Sequence, residues 1–109
     1  MIANTPEPPY YAVIFTSTRS DINEGYDEMN RITEEQAGTY DGYLGNEYFR
    51  NSDGFGIHVS YWRDLEAIDA WRKAELHQKA KELGKLKWYK EYKVRICRVD
   101  HDSGETYDR

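Results

Sequence analysis

The sequence holds a single cysteine, Cys97, so no disulfide can form within the chain, and a reducing, cytoplasmic setting is the simpler expectation. Its 3 prolines all fall in the opening segment, at Pro6, Pro8 and Pro9, where they favour extended chain over any regular element. That segment also lacks the basic start and apolar centre of a secretory signal. Nowhere is there an apolar run of about 18 residues, the length a membrane-spanning helix needs. Positive charge is in short supply, with 15 Lys and Arg against 20 Asp and Glu, a formal net charge of −5. A surface that tracks phosphates needs a basic patch, so nucleic acid is not an expected partner. The 3 histidines, His58, His77 and His101, stand on separate segments with none of the short spacing of metal ligands. No glycine-rich phosphate loop, nucleophile elbow or paired-cysteine motif is present, and neither a metal nor a cofactor is expected.

Aromatic residues are abundant, at 15% of the chain, with 10 Tyr, 3 Trp and 3 Phe. Such side chains carry large burial energies and concentrate in pockets and interfaces. The 109 residues suffice for one domain, but with 39% hydrophobic and 32% charged residues its own core is thin. Burial against a second subunit is the expected remedy.

Residues 1–9 read as a flexible arm and 101–109 as a charged tail, leaving one domain over 10–100. Tyr10–Ser17 is rich in aromatic and β-branched residues, as a strand covered on both faces would be. Asp21 with Glu24 has the spacing of a helix N-cap, and Ile22, Tyr26, Met29 and Ile32 or Thr33 recur at helical intervals, predicting a helix over 22–37 that stops at Gly38. Tyr43–Arg50 and Gly56–Trp62 are strand-like and flank Asn51-Ser52-Asp53-Gly54, a turn-forming group, which predicts a hairpin. Asp64 can cap a second helix with Leu65, Ile68, Trp71, Ala74 and Leu76 as its inward stripe, ending at Gly84. Trp88–Val99 alternates Tyr92, Val94 and Ile96 with Glu91, Lys93 and Arg95, the period of a strand with one face on the core. The order is α+β, a ferredoxin-like βαββαβ with a four-stranded antiparallel sheet, both helices on one face and the other face needing cover.

Several segments together carry a family resemblance: Gly42-Tyr43-Leu44-Gly45-Asn46-Glu47, Gly56-Ile57-His58-Val59-Ser60-Tyr61-Trp62, Glu66-Ala67-Ile68-Asp69-Ala70-Trp71, His77 and Trp88-Tyr89. In order and spacing over roughly residues 10–100 they resemble the antibiotic biosynthesis monooxygenase family of the dimeric α/β-barrel superfamily. The resemblance implies two ferredoxin-like subunits joined sheet to sheet, a pocket between sheet and helices, and oxidation of aromatic compounds without metal or added cofactor. A branch of the family degrades haem instead, with an asparagine on strand one, a tryptophan on helix two and an iron-ligating histidine ten residues later. Here strand one has no asparagine, and ten residues after Trp71 stands Lys81, with His77 only six residues on.

Tyr61, Trp71 and His77 are the candidate catalytic residues. His77 is the candidate proton shuttle, since imidazole titrates near neutrality. On an unbroken helix it would lie roughly 240° around the axis from Trp71, so the two would not converge. Asn46 is a candidate for orienting a ligand, and Trp62 and Trp88, with Trp71, for walling an aromatic pocket. On strand three Ile57, Val59 and Tyr61 share one face while His58, Ser60 and Trp62 share the other. The more apolar face is the better core candidate, which would put Tyr61 near the pocket and His58 between subunits; the reverse assignment exchanges them. Asn46 and Arg50 should lie on one side of strand two and Glu47 on the other, and any of the three could orient a polar group on a ligand. Cys97 reads as a buried strand residue. The function expected is a cofactor-independent monooxygenase acting on a small phenol- or quinol-like compound. The alternatives are a non-catalytic domain holding a small hydrophobic ligand and a haem-binding protein.

Overall fold

Ten residues rich in aromatic and β-branched side chains form the central strand β1, Tyr10–Arg19, in the computed structural model, which describes residues 2–108 and all their side chains except those of 75, 76, 85 and 86. It is followed by α1 (Tyr26–Ala37), the hairpin β2 (Tyr43–Arg50) and β3 (Phe55–Trp62), two short helices α2 (Leu65–Lys73) and α3 (Glu75–Leu83), and β4 (Tyr89–Val99). The strands make one antiparallel sheet in the order β2-β3-β1-β4. This is the expected ferredoxin-like α+β arrangement, with the second helix in two pieces. No helix among the described residues is long and apolar enough to cross a membrane.

The hairpin forms as the turn residues dictate: Asn51 Oδ1 accepts from the backbone N–H of Asp53 and Phe55, 3.0 and 3.1 Å away. Asp64 likewise caps α2, accepting from Ala67 N–H at 2.8 Å.

Other boundaries differ from expectation. α1 starts at Tyr26, and its N-cap is Gly25 at φ 79°, a left-handed conformation that glycine adopts without strain. Asp21 and Glu24 therefore form no capping box, and Ile22 is exposed. Residues 20–23 are instead held by Arg19, whose guanidinium donates to Ile22 O and Asn23 Oδ1.

The predicted helix over 64–84 breaks at Ala74, whose ψ of 141° is extended. The Arg72 carbonyl freed by the break accepts from Gln78 Nε2 at 2.7 Å. Within α2, Ala67 and Ile68 face the core while Leu65 is exposed; Leu76 lies outside the described side chains. Gly84 does not end the helical path, because Gly84–Trp88 continue as one wide π-type turn before β4.

The register decides which face is which. Tyr11 pairs with Trp62, Val13 with Ser60 and Phe15 with His58, so His58, Ser60 and Trp62 face the helices. Val13, Ala37, Trp62, Ala67 and Ile68 make the core there. Ile57, Val59 and Tyr61 therefore lie on the opposite, open face, against the expectation that the more apolar set of β3 packs on the helices. Cys97, paired with Ala12 on that open face, is exposed rather than buried. Val94 and Ile96 do point to the helix side but stay 37% and 39% exposed, because β4 is an edge strand that the helices only partly cover.

Both ends of the chain touch the open face. Ala3 N–H donates to Glu47 at 2.8 Å, and Tyr10 OH to Asp102 at 2.6 Å.

Candidate active site

Between the helix side of the sheet and α1, α2 and α3 lies a cavity of about 410 Å³. Its aromatic walls include Phe15, Tyr26, Trp71, Trp88, Tyr89 and Tyr92. Its polar groups include Asn46, His58 and Ser60 from the sheet, Glu34 from α1 and His77 from α3.

Trp71 and His77 meet, contrary to the offset expected of one continuous helix. The break at Ala74 redirects α3 and brings the two rings to 4.3 Å between centroids. Trp71 also stacks on Trp62 at 5.0 Å and 29°. Trp62 is fully buried behind the cavity wall, with its indole N–H donating to Ser60 Oγ at 2.9 Å. Trp71 thus contacts both an indole and an imidazole, which fixes the wall it presents.

His77 Nδ1 is enclosed without a hydrogen-bond partner among the described residues. Burial, reinforced by the positive charges of Arg72 and Lys81, pushes its pKa down to about 4. At neutral pH the ring is therefore uncharged. His58 is also pushed below its usual value, first by burial and then by Arg50. Its Nε2 lies 3.1 Å from Asn46 Nδ2, and with the amide donating, the imidazole proton sits on Nδ1. Burial raises the carboxyl of Glu34 and, with a hydrogen bond to Tyr26, the phenol of Tyr89.

Of the residues singled out from sequence, Asn46, Trp71, His77 and Trp88 line this cavity and Trp62 supports it. Trp88 is held in place by its indole N–H, which donates to Glu24 O at 2.9 Å. Tyr61 is not among the lining residues. It sits on the open face, donating to Glu47 at 2.7 Å, with its pKa pushed up to about 12 by burial and that carboxylate. His58 and Glu34 were not selected as site residues from sequence, and Arg50 entered only as one of three strand-two residues able to orient a ligand. The parity of β3 with Trp62 was the available signal for His58; the position of Glu34 depends on how α1 packs. Among the described residues no three His, Cys, Asp or Glu side chains are grouped to hold a metal ion.

Residues 16–83, more than half of the chain, match the family model for antibiotic biosynthesis monooxygenases. The chain belongs to the antibiotic biosynthesis monooxygenase family. A curated relative, the uncharacterized protein YqjZ of Bacillus subtilis strain 168, is 48% identical over 99 residues, which is 91% of this chain and 87% of that protein. Among solved structures, a mutant of SnoaB, a cofactor-independent oxygenase from Streptomyces nogalater, superposes with a TM-score of 0.75 at 9% identity, covering 88% of this chain and 98% of that one. Protein SO0527 from Shewanella oneidensis superposes with a TM-score of 0.73 at 10% identity, covering 84% and 91%. At these identities the two structures show the fold that this monooxygenase family member shares with them. The family match spans the second half of β1 through α3, the segments that build most of the cavity.

Proposed function

We propose that this chain is a monooxygenase that oxidises a small, flat phenol- or quinol-like compound inside the cavity, without an added cofactor. The observation that carries the reading is a neutral imidazole, His77, set against Trp71 in an aromatic-walled cavity of about 410 Å³. Aromatic walls select a flat ring and exclude water, and a neutral imidazole accepts a proton. The substrate supplies the electrons. Its deprotonated form passes one electron to O2, and the resulting radical pair recombines at a ring carbon to a hydroperoxide. Loss of water then leaves a carbonyl, so one oxygen atom enters the product and the other leaves as water. For hydroquinone the balance is hydroquinone plus O2 giving hydroxybenzoquinone plus water.

The test is O2 uptake with hydroquinone as probe, alongside chromatography of the product. Uptake in a ratio of one O2 per hydroxybenzoquinone, abolished by heat denaturation, is the expected result. Equal uptake by the denatured protein overturns turnover by this chain. Binding without uptake would instead identify a domain that only holds a small hydrophobic ligand.

The open sheet face supports a second part of the reading, a homodimer. Phe49, Phe55 and Ile57 are 74%, 46% and 43% exposed, and they cluster on that face at the hairpin end of the sheet. The arm and tail contacts at Glu47 and Tyr10 lie toward its other end. An apolar patch of this kind on a thin-cored domain is stabilised by a second copy. Light scattering at micromolar concentration should give close to twice the chain mass of 12.9 kDa, and a mass near that of one chain would overturn the dimer.

A further inference from the structure

The Arg50 guanidinium, at one end of the cavity region, has no counter-charge among the described residues. The side chain of Arg50 runs along the helix side of the sheet over Gly56, where an added Cβ would stand only 2.9 Å from its Cζ. Its nitrogens donate to Gly54 O at 2.6 Å, Ser17 O at 3.3 Å and Ser17 Oγ at 2.8 Å. All these acceptors are neutral. The ion pairs among the described residues use Arg31, Arg63, Lys73 and Arg98, all on the solvated surface, and none uses Arg50.

Arg50 lines a smaller lobe of about 220 Å³, which shares Phe15, Tyr26, His58 and Tyr89 with the main cavity. Two carboxylates of α1 also border this lobe, Asp27 and Glu34. Asp27 is exposed at the rim, and burial already disfavours the charged form of Glu34. Neither lies within ion-pairing distance of Arg50. A half-buried cation in a chain of net charge −5, met by the neutral oxygens of Ser17 and Gly54 and by the Tyr89 ring 5.9 Å away, leaves favourable energy for an incoming anion. His58 faces the same lobe, and its Nδ1 has no partner among the described residues.

We propose that the Arg50–His58 end of the cavity is an anion subsite, which takes a carboxylate or phenolate oxygen of a flat aromatic ligand whose ring lies between Phe15, Tyr26 and Tyr89. The inference rests on the aromatic-ligand reading above and narrows it to substrates that carry or develop negative charge. Arg50 supplies the charge and His58 Nδ1–H a second donor. Asn46 acts as a positioning residue by fixing the tautomer of His58.

Calorimetric titration of the full chain with cinnamate and with its neutral isostere cinnamamide tests this without requiring turnover. Hydrogen bonds to charged groups predict that cinnamate binds about 10- to 100-fold more tightly. In Arg50→Gln that preference should fall to near unity while cinnamamide affinity is unchanged. Arg50→Lys, which keeps the charge but loses the planar fork, should retain part of it. Thermal melting checks that each variant folds; if Arg50→Gln does not, the comparison of Arg50→Lys with the parent chain decides. Equal binding of the two compounds by the parent chain would overturn the anion subsite and leave the aromatic cavity intact. A preference undiminished in both variants would also overturn it. Failure of both compounds to bind would overturn the aromatic-ligand reading together with the subsite.

Discussion

Trp62→Ala is expected to destabilise the chain by about 3–5 kcal/mol, the range for removing a large aromatic side chain from a packed core. Trp62 is 0% exposed, stacks on Trp71 and meets Tyr43 edge-on at 5.2 Å between centroids. Truncation leaves a void among Val13, Ala67 and Ile68 and strips Ser60 Oγ, itself buried, of its indole donor. A domain of this size has about 5–15 kcal/mol in total, so much of it would be lost. The melting temperature should fall by roughly 15–30 °C. Urea unfolding followed by circular dichroism gives the measurement, and a loss below about 1 kcal/mol would show that Trp62 does not anchor the core. Trp62→Phe keeps a ring and should cost less. The effect reaches the site, because Trp62 is the rigid backing of Trp71.

Most of the architecture was legible because local chemistry agrees with the global fold. Asn51 makes the hairpin with its own side chain, Asp64 caps α2, and the alternation along β4 announces a strand. What escaped depends on contacts distant in sequence. Neither proline nor glycine marks Ala74, and the break survives because Gln78 satisfies the carbonyl it frees. The consequence for chemistry is large: an unbroken helix would separate Trp71 and His77, whereas the break puts them in contact. Gly84 reads as a stop, yet at φ −61° it carries the helical path on into Trp88 and so sets that indole against α1.

Strand β3 shows a different failure. Its apolar set, Ile57, Val59 and Tyr61, looks like the core face by hydropathy, while the face with His58 and Ser60 looks solvated. The register places them the other way, for two reasons that lie outside any single strand. The helix side must line a cavity as well as a core, which favours polar residues there. The open side has apolar residues that the rest of the chain leaves exposed, Phe49, Phe55 and Ile57 among them. The reverse assignment of the two faces therefore holds: Tyr61 lies away from the cavity and His58 faces it, because which face the helices occupy is not written in the strand itself.

His77→Gln is expected to lower kcat/KM for quinol oxidation by about 100-fold or more, the lower end of what a positioned base contributes. The lower end applies because a base with a pKa near 4 is poorly matched to a phenolic proton. The same depressed pKa keeps the ring ready to accept a proton far into acid, so the acid limb of kcat/KM in the parent chain should lie near pH 4 rather than near 6.5. An acid limb at 6.5, or one unmoved in His77→Gln, would remove His77 from the role of base. Stability should respond with a definite sign. The unfolded imidazole binds its proton near pH 6.5 and the folded one only near 4. Stability due to His77 is therefore fully present above 6.5 and is lost progressively as the pH falls toward 4. Because the ring is only half-buried and solvent screens it, the loss is about 2 kcal/mol rather than the full value of the shift. His58, shifted in the same direction, adds to the acid sensitivity of the parent chain, so the informative quantity is the difference between the parent chain and His77→Gln. Between pH 7 and pH 4 the stability of the parent chain relative to His77→Gln, from urea unfolding, should fall by about 2 kcal/mol, and parallel curves would show that His77 is not held neutral by the fold.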